Sequence, residues 1–248
     1  MNDHRPKSQV QKEPPELEIR RSREADRINV AYANRRGMIC DTFTREARAE
    51  RHAVYDQLLD AAFPTQRSII QVLEVGCGSG SELEKLIQLG VEPGHCAGIE
   101  LQESRFENAK SRLPAACDIR LGDACKTDFA TESFDVVFAS TVFTSILDED
   151  VQASLAGEMW RLLKPGGAVL WYDFVYNNPR NPDVRGVPRS RVLELFPQAT
   201  AEFHRVTLAP PIGRRLNRLG ATGYRIFNSI PFLRTHLVGW LEKRGTAD

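Results

Sequence analysis

The chain has 248 residues, of which 42% are hydrophobic and 27% are charged, which fits one large globular domain or one domain with extensions. Its 33 basic and 33 acidic residues cancel, so the net charge excludes any general argument for a nucleic-acid or membrane partner. Charge is uneven, however: from Asn177 onward there are 12 basic and 5 acidic side chains, which predicts a solvated basic surface or a face near an anionic substrate.

The cysteine pattern and the lack of long apolar segments bear on where in the cell the protein is located. Five cysteines include no CxxC pair, so we expect neither a zinc site nor a disulfide framework, and no metal. The N-terminal stretch has no apolar core of a secretory signal, and no apolar run approaches the ~20 residues of a membrane span. We therefore expect a cytoplasmic protein without stable membrane insertion.

The first part of the chain differs in composition from the rest. Residues 1–27 are rich in charge, which predicts a mobile tail or a loosely covering helix. Apolar residues then recur at helical spacing over residues 43–63, where Thr44 and Glu46 suit a helix start. We divide the chain into a tail and covering segment, residues 1–42, and a single domain, residues 43–248.

Strands and helices then alternate along the chain. Strands are predicted over residues 68–77, 95–99, 118–121, 134–140 and 168–174, and helices over residues 81–89, 104–113 and 151–163. Such alternation implies parallel strands joined by right-handed crossovers, and so an α/β fold with a doubly wound, Rossmann-like sheet. A loop over residues 176–188 and a helix over residues 190–196 follow, and then two candidate closing strands, residues 202–208 and 236–242.

A glycine-rich turn follows the first strand, in the sequence VLEVGCGSG. Gly76, Gly78 and Gly80 let a ligand approach the backbone at the carboxyl edge of the sheet. A dinucleotide fingerprint needs a further glycine where Ser81 stands, which argues against a dehydrogenase. The carboxylate of Glu74 suits a ligand with a cationic amine, such as S-adenosylmethionine, better than a pyrophosphate.

Two acidic residues follow the next two strands. Glu100 lies 20 residues beyond Gly80, where a carboxylate accepts hydrogen bonds from ribose hydroxyls. Asp123, in the sequence LGDA, is placed to accept from an adenine amino group, with the backbone of Ala124 donating to the ring. An aspartate in this context is also common as a helix cap or turn residue.

These motifs occur in the order EVGCGSG, GIE, GDA, FDVVFAS and LLKPGG, over residues 68–174. Together they resemble the class I S-adenosylmethionine-dependent methyltransferases of small-molecule type. The resemblance implies a seven-stranded sheet with an antiparallel last strand. It also implies that Leu101 packs beside the adenine and that Ala139 and Ser140 lie near the methionine amine and the methyl group. Cys77 would be a small filler of the cofactor turn.

The methyl acceptor is less well defined by the sequence. The stretch after the fourth strand reads ASTVFTS and lacks the Asn/Asp-Pro-Pro-Tyr/Phe motif of many enzymes that methylate nucleobase or glutamine amines, and no basic run is interleaved with aromatics, so we expect no nucleic-acid partner. Asp173 is our first candidate general base and His204 the second. Polar side chains in the loop after the fifth strand are candidates for binding the acceptor: Tyr172, Tyr176, Asn177, Asn178, Arg180 and Arg185.

Residues 171–211 also look similar to methyltransferases of polysaccharide or secondary-metabolite pathways. We therefore predict O-methylation of a hydroxylated or sugar/glycolipid-type small molecule. The alternatives are a C- or N-methyltransferase of a secondary metabolite, aminopropyl transfer, and a non-catalytic cofactor-binding module. Residues 212–233 mix arginine with apolar residues, which suits a lid helix on the active site or, less readily, a segment on a membrane surface.

Overall fold

The computed structural model describes residues 14–33 and 41–245, and in them strands and helices alternate as the sequence predicts. The strands are β1 (Val72–Val75), β2 (Cys96–Glu100), β3 (Asp118–Leu121), β4 (Phe134–Ser140), β5 (Leu163–Phe174), β6 (Ala199–Leu208) and β7 (Arg234–Lys243). The helices are α1 (Pro15–Ala33), α2 (Thr42–Ala62), α3 (Ser81–Gln88), α4 (Glu103–Arg112), α5 (Glu149–Leu162), α6 (Arg189–Leu195), α7 (Pro210–Arg215) and α8 (Gly220–Asn228).

The seven strands form one sheet in the order β3-β2-β1-β4-β5-β7-β6. Strands β1 to β5 pair in parallel, because a crossover helix separates most of them along the chain. Strand β7 pairs antiparallel with both β5 and β6. The doubly wound, seven-stranded fold with an antiparallel last strand is thereby confirmed.

Two apolar layers cover the faces of the sheet. One is centred on Val137, Trp171 and Met159 and packs beneath α5 and α6. The other is centred on Val136, Phe138 and Tyr55 and packs beneath α2 and α3. Successive residues of β4 thus point to opposite layers, which explains why the strand is apolar without interruption.

Three of the element boundaries that differ from the sequence prediction have a local cause. Strand β1 starts at Val72, because the Gln71 carbonyl oxygen accepts from both Asp135 N and Val136 N and so leaves the regular ladder. Strand β5 starts at Leu163, because Pro165-Gly166-Gly167 forms a bulge within the strand. Helix α2 is capped by Asp41, whose Oδ1 accepts from Thr44 N at 2.8 Å.

The two segments outside the sheet have distinct positions. Helix α1, which the sequence left as a tail or a covering helix, is a covering helix that runs beside α5. Helices α7 and α8 pack against α2 and β6. Residues 212–233 therefore contribute no side chain to the cavity described below, and the lid prediction for them is not supported. Within the described residues, no helix has the length and apolar character required to cross a membrane.

Candidate active site

The turn between β1 and α3 adopts a backbone that favours glycine. Gly76, Gly78 and Gly80 all have positive φ, at 63°, 58° and 77°. A Cβ on Gly76 would lie 2.8 Å from Cγ2 of Val142, and one on Gly78 would collide with the Arg105 guanidinium. The glycines are therefore required both by conformation and by space, and they leave the backbone of the turn accessible at the carboxyl edge of the sheet.

Glu100 ends β2 directly opposite this turn. Its Oε2 accepts from Gly78 N at 2.7 Å and its Oε1 accepts from Gln102 N at 2.9 Å, while Arg105 Nε lies 4.0 Å from Oε2. The side chain is buried. A carboxylate has about four acceptor sites, so the two backbone bonds leave capacity for further donors such as ribose hydroxyls.

A cavity opens at this edge of the sheet. Its lining includes the sequence-predicted cofactor residues Gly76, Glu100, Leu101, Asp123, Ala124 and Ser140. Its apolar walls come from Ile28, Ile99, Val142, Ile146, Val151 and Leu155. Apolar walls with a few convergent polar groups are typical of a cofactor site.

Other predicted cofactor residues support the cavity without lining it. Glu74 is buried behind the turn, where burial raises the pKa of its carboxyl well above the usual range. Burial likewise raises the pKa of the Cys77 thiol, which suits a filler rather than a nucleophile. Gly78, Gly80 and Ala139 are also absent from the lining. A direct contact of these five residues with the cofactor stays a prediction.

Asp123 makes one contact within its own loop and one with helix α1. Its Oδ1 accepts from Cys125 N at 2.8 Å, the turn arrangement that the sequence left open. Its Oδ2 lies 3.4 Å from Nη1 of Arg21, which is buried on α1. Asp123 therefore both shapes the loop after β3 and fixes the covering helix over the cavity.

Helix α1 closes the cavity through a set of charged contacts. Glu24 accepts from the backbone N of Leu147, and Arg27 donates to the carbonyl oxygen of Ser145 and to Glu24. Arg20 lies 3.2 Å from the Asp148 carboxylate at the start of α5. The helix is thus attached to the segment after β4, whose Val142 lies against the glycine turn.

The residues of α1 that line the cavity were not among the sites predicted from the sequence. Cavity-lining residues of α1 are Arg21, Glu24, Ala25, Ile28 and Tyr32. They recur at three or four residues, which is one face of a helix. That spacing was a usable signal, although the high charge of the segment obscured it.

The two candidate bases lie away from the cavity. Asp173 is buried, and its carboxylate accepts from Thr144 Oγ1 at 2.6 Å and Thr144 N at 3.1 Å, so it orders the segment after β4. Burial raises the pKa of Asp173 to about 7, against opposing hydrogen bonds from Thr144. His204 lies in the middle of β6 with Nε2 3.0 Å from a Glu202 carboxylate oxygen. Neither residue lines the cavity, so a role as base for either stays a prediction that this geometry does not favour.

The predicted acceptor residues serve mainly to shape their loop. Asn177 Oδ1 accepts from Gly186 N at 2.9 Å, and Asn178 Oδ1 accepts from Arg180 N at 3.1 Å, which are side-chain turns. Arg185 lies 3.4 Å from the Glu149 carboxylate.

Tyrosines in the same region point in different directions. Tyr172 is buried with its hydroxyl 3.2 Å from Thr207 Oγ1, and its ring stacks on His236 at 5.2 Å. Tyr176 is half exposed and accepts from Arg205 at 3.3 Å. Of the six predicted acceptor residues only Tyr172 is buried, and binding by any of them stays a prediction.

The residues present fit S-adenosylmethionine. Positive-φ glycines leave room for its methionine part, Glu100 retains acceptor capacity for ribose, and apolar walls beside Asp123 suit an adenine. The cavity lining carries three acidic residues, Glu24, Glu100 and Asp123, and two arginines, Arg21 and Arg105, and this net negative charge suits the ligand's net positive charge. Among the residues described, no group of three or more His, Cys, Asp or Glu side chains is arranged to hold a metal.

The strand order is that of the class I S-adenosylmethionine-dependent methyltransferase fold, and the cavity lies at the edge of the sheet where its cofactor residues were predicted. Residues 73–171 match the family model described as "Methyltransferase domain", and the family resemblance of the sequence and its cofactor, S-adenosylmethionine, are confirmed.

Similar proteins share this domain but differ elsewhere. The chicken (Gallus gallus) tRNA N(3)-cytidine methyltransferase METTL2 is 31% identical over 120 residues, which are 45% of this chain and 32% of that protein. The chain thus spans about a third of the length of the curated relative it matches.

Among solved structures, a SAM-dependent methyltransferase from Archaeoglobus fulgidus matches with a TM-score of 0.56 at 14% identity, over 77% of this chain and 94% of that one. The geranyl diphosphate C-methyltransferase of Streptomyces coelicolor, solved with S-adenosyl-L-homocysteine, matches with a TM-score of 0.56 at 15% identity. The match covers 77% of this chain and 76% of that one. These matches show the shared fold.

Proposed function

We propose that this protein transfers a methyl group from S-adenosylmethionine to a small molecule, and that the acceptor atom is an oxygen of a hydroxylated, sugar or glycolipid compound. The observation that carries the proposal is the closed cofactor cavity, in which Glu100 and Asp123 lie beneath a covering helix. Bound there, S-adenosylmethionine would supply a methyl group on a positively charged sulfur: the acceptor oxygen would bond to the methyl carbon, the sulfur would keep the electron pair of the broken bond, and the hydroxyl proton would be released to water.

The chain's own contribution to this reaction is alignment and exclusion of water. Alignment of two reactants is worth up to ~7–11 kcal/mol of barrier, so a dedicated base is not required for the proposal. Helix α1 and the segment after β4 close over the cavity through Glu24 and Arg27, which supports a site shielded from solvent.

Thr141 marks the side from which an acceptor approaches. It lines the cavity directly after β4 and has a φ of 55°, an unfavourable conformation for a β-branched residue. Its backbone N donates to the carbonyl oxygen of Tyr172 at 2.7 Å, which holds the strained position. Strain of this kind concentrates at functional sites, and we therefore place the acceptor beside Ser140 and Thr141.

A tRNA acceptor is the competing assignment, because several relatives, including the chicken METTL2, are named for tRNA cytidine methylation. That match covers 32% of the relative, so most of the relative lies outside it. The cover of α1 over the cavity also restricts entry of a base that remains attached to a folded RNA. Both features favour a small acceptor for this chain.

The test has two stages. Calorimetric titration with S-adenosylmethionine and, separately, NAD establishes the cofactor. The protein is then incubated with hydroxylated, sugar, lipid-linked and tRNA acceptor pools, and products are analysed by mass spectrometry for a gain of one methyl group. Glu100→Ala serves as the cofactor-deficient control. Methylation of tRNA alone, or binding of the cofactor with transfer to no pool, would contradict the small-molecule proposal.

A further inference from the structure

A surface of one charge sign connects β6 to β7. We call residues 209–235, which contain α7, α8 and two 3₁₀ turns, the arginine cap. They include five arginines, Arg214, Arg215, Arg218, Arg225 and Arg234, and no acidic residue. The first three are exposed, and no ion pair joins them to another described residue. The cap therefore presents unneutralised positive charge to solvent.

The inner face of the arginine cap accounts for its folding. Tyr224 is buried against Phe43 of α2, with ring centroids 6.0 Å apart, and Phe227 packs in the same cluster. Glu50 of α2 accepts from the Tyr224 hydroxyl at 2.8 Å and from Asn228 Nδ2 at 2.7 Å. Side chains on the outer face are therefore not needed to hold the cap in place.

That outer face carries large apolar side chains. Leu219, Ile226 and Phe232 are 59%, 61% and 74% exposed. Leu219 ends the 3₁₀ turn that precedes α8, and Ile226 lies on α8, where Tyr224 and Asn228 are buried and Phe227 is partly buried. Exposed apolar residues next to unneutralised arginines form an amphipathic surface rather than isolated exposures.

The arginine cap lies at the same edge of the sheet as the cofactor turn. Strand β6 runs antiparallel to β7, which runs antiparallel to β5, so β6 and β5 end at the same edge. The cap leaves the sheet after Leu208, at the end of β6, and returns at Arg234. A partner of the cap would therefore face the edge at which Glu100 and Thr141 lie.

We infer that the arginine cap docks on the surface of an anionic lipid bilayer. Its arginines attract acidic headgroups, while Leu219, Ile226 and Phe232 insert into the boundary between headgroups and acyl chains. Two of these three side chains, Leu219 and Ile226, are aliphatic, which favours lipid over RNA, because single-stranded RNA is bound through aromatic stacking and hydrogen bonds. Joined to the proposed function, on which this extension rests, docking makes the methyl acceptor a membrane-borne molecule.

The test is flotation of the full chain with phosphatidylcholine vesicles, with and without phosphatidylglycerol. We expect flotation only with the acidic lipid, and its loss on raising the salt concentration. Ile226→Ser with Phe232→Ser should weaken the partition by roughly tenfold or more, as should Arg214→Gln with Arg215→Gln. Ile69→Ser is the matched control, because Ile69 is 63% exposed and lies just before β1, at the opposite edge of the sheet.

The outcomes separate this inference from the proposed function. Equal flotation of wild type and both double variants, or no flotation with acidic vesicles, overturns the docking surface. Binding of tRNA by the same arginines without vesicle binding also overturns it and identifies RNA as the partner. Titration of each variant with S-adenosylmethionine reports on cofactor binding alone, so failure of the docking surface leaves that measurement unchanged.

Discussion

Thr144 and Asp173 are joined by two hydrogen bonds, from Thr144 Oγ1 at 2.6 Å and from Thr144 N at 3.1 Å, both onto the Asp173 carboxylate. Phe174 N also donates to this carboxylate at 3.1 Å. The pair connects the end of β5 with the segment after β4, whose residues line the cofactor cavity. Asp173 thus positions the cavity wall rather than touching its contents.

Asp173→Asn should therefore lower stability and perturb positioning. The amide NH₂ replaces an acceptor oxygen that faces N–H and O–H donors, and a buried donor left unsatisfied costs about 1–3 kcal/mol. We expect a loss of this size in the free energy of unfolding, measured by urea denaturation. Asp183→Asn, at an exposed loop position, should leave the free energy unchanged.

The same variant distinguishes a positioning residue from a general base. If Asp173 positions the wall, Asp173→Asn keeps the pH dependence of kcat and changes its magnitude. Removal of the acidic limb of the pH profile, with stability preserved, would instead identify Asp173 as the base and contradict its role in the structure.

Glu100→Ala should weaken cofactor binding by about tenfold or more without unfolding the chain. The substitution removes the acceptor of Gly78 N and Gln102 N as well as the proposed ribose contact, and a hydrogen bond to a charged group is worth about 1.5–3 kcal/mol. Calorimetric titration with S-adenosylmethionine measures the dissociation constant. Glu103→Ala, exposed at the start of α4, is the control, and an equal constant in both variants would refute the ribose assignment.

Opening the α1 cover should speed cofactor release. Glu24 is buried and bonds both Arg27 and the backbone of Leu147, so Glu24→Ala removes one attachment of α1 to the segment after β4 and the partner that orients Arg27. We expect a rise of several-fold in the dissociation rate of S-adenosylhomocysteine in stopped-flow measurements, with a small change in Tm. Arg23→Ala, exposed on the same helix, should release the ligand at the wild-type rate; a wild-type rate in Glu24→Ala would mean that α1 is not the cover.

The sheet and the cofactor turn could be predicted from the sequence because local chemistry determines them. Uninterrupted apolar strands such as Phe134–Ser140 are buried on both faces, and the glycines at Gly76, Gly78 and Gly80 are forced by positive φ. The position of Glu100 beside the turn could be predicted from its distance along the chain from Gly80. These features depend on periodicity or on single-residue conformation, both of which are visible in one sequence.

The cover and the acceptor side could not be predicted because distant contacts determine them. Arg21 and Asp123 form an ion pair although more than 100 residues separate them in the chain, and the sequence around either residue does not indicate this pair. Asp173 and Tyr172 are neighbours in sequence, yet strand alternation sends one to Thr144 and the other to Thr207. The composition of this region therefore could not show which of its polar side chains are buried.

His236 makes stability depend on pH in a direction opposite to Asp173. Burial, with the nearby Arg51 charge, lowers the pKa of His236 to about 3, so between pH 6.5 and 3 the unfolded chain binds the proton and the folded chain does not. Stability from this group is complete above pH 6.5 and falls as pH decreases, by about 1.4 kcal/mol per pH unit for one proton. The raised pKa of Asp173, about 7, gives the reverse slope between pH 4 and 7.

The two slopes oppose each other in wild type, so the prediction concerns the difference between variants. His236→Phe keeps a ring stacked on Tyr172 and removes the titrating group, so its free energy of unfolding should fall less than that of wild type between pH 6.5 and pH 4. Urea denaturation of both proteins at several pH values in this interval measures the difference. His95→Phe, which replaces a histidine on the exposed turn before β2, should follow the wild-type curve. Parallel curves for wild type and His236→Phe would show that His236 is protonated without cost in the folded chain.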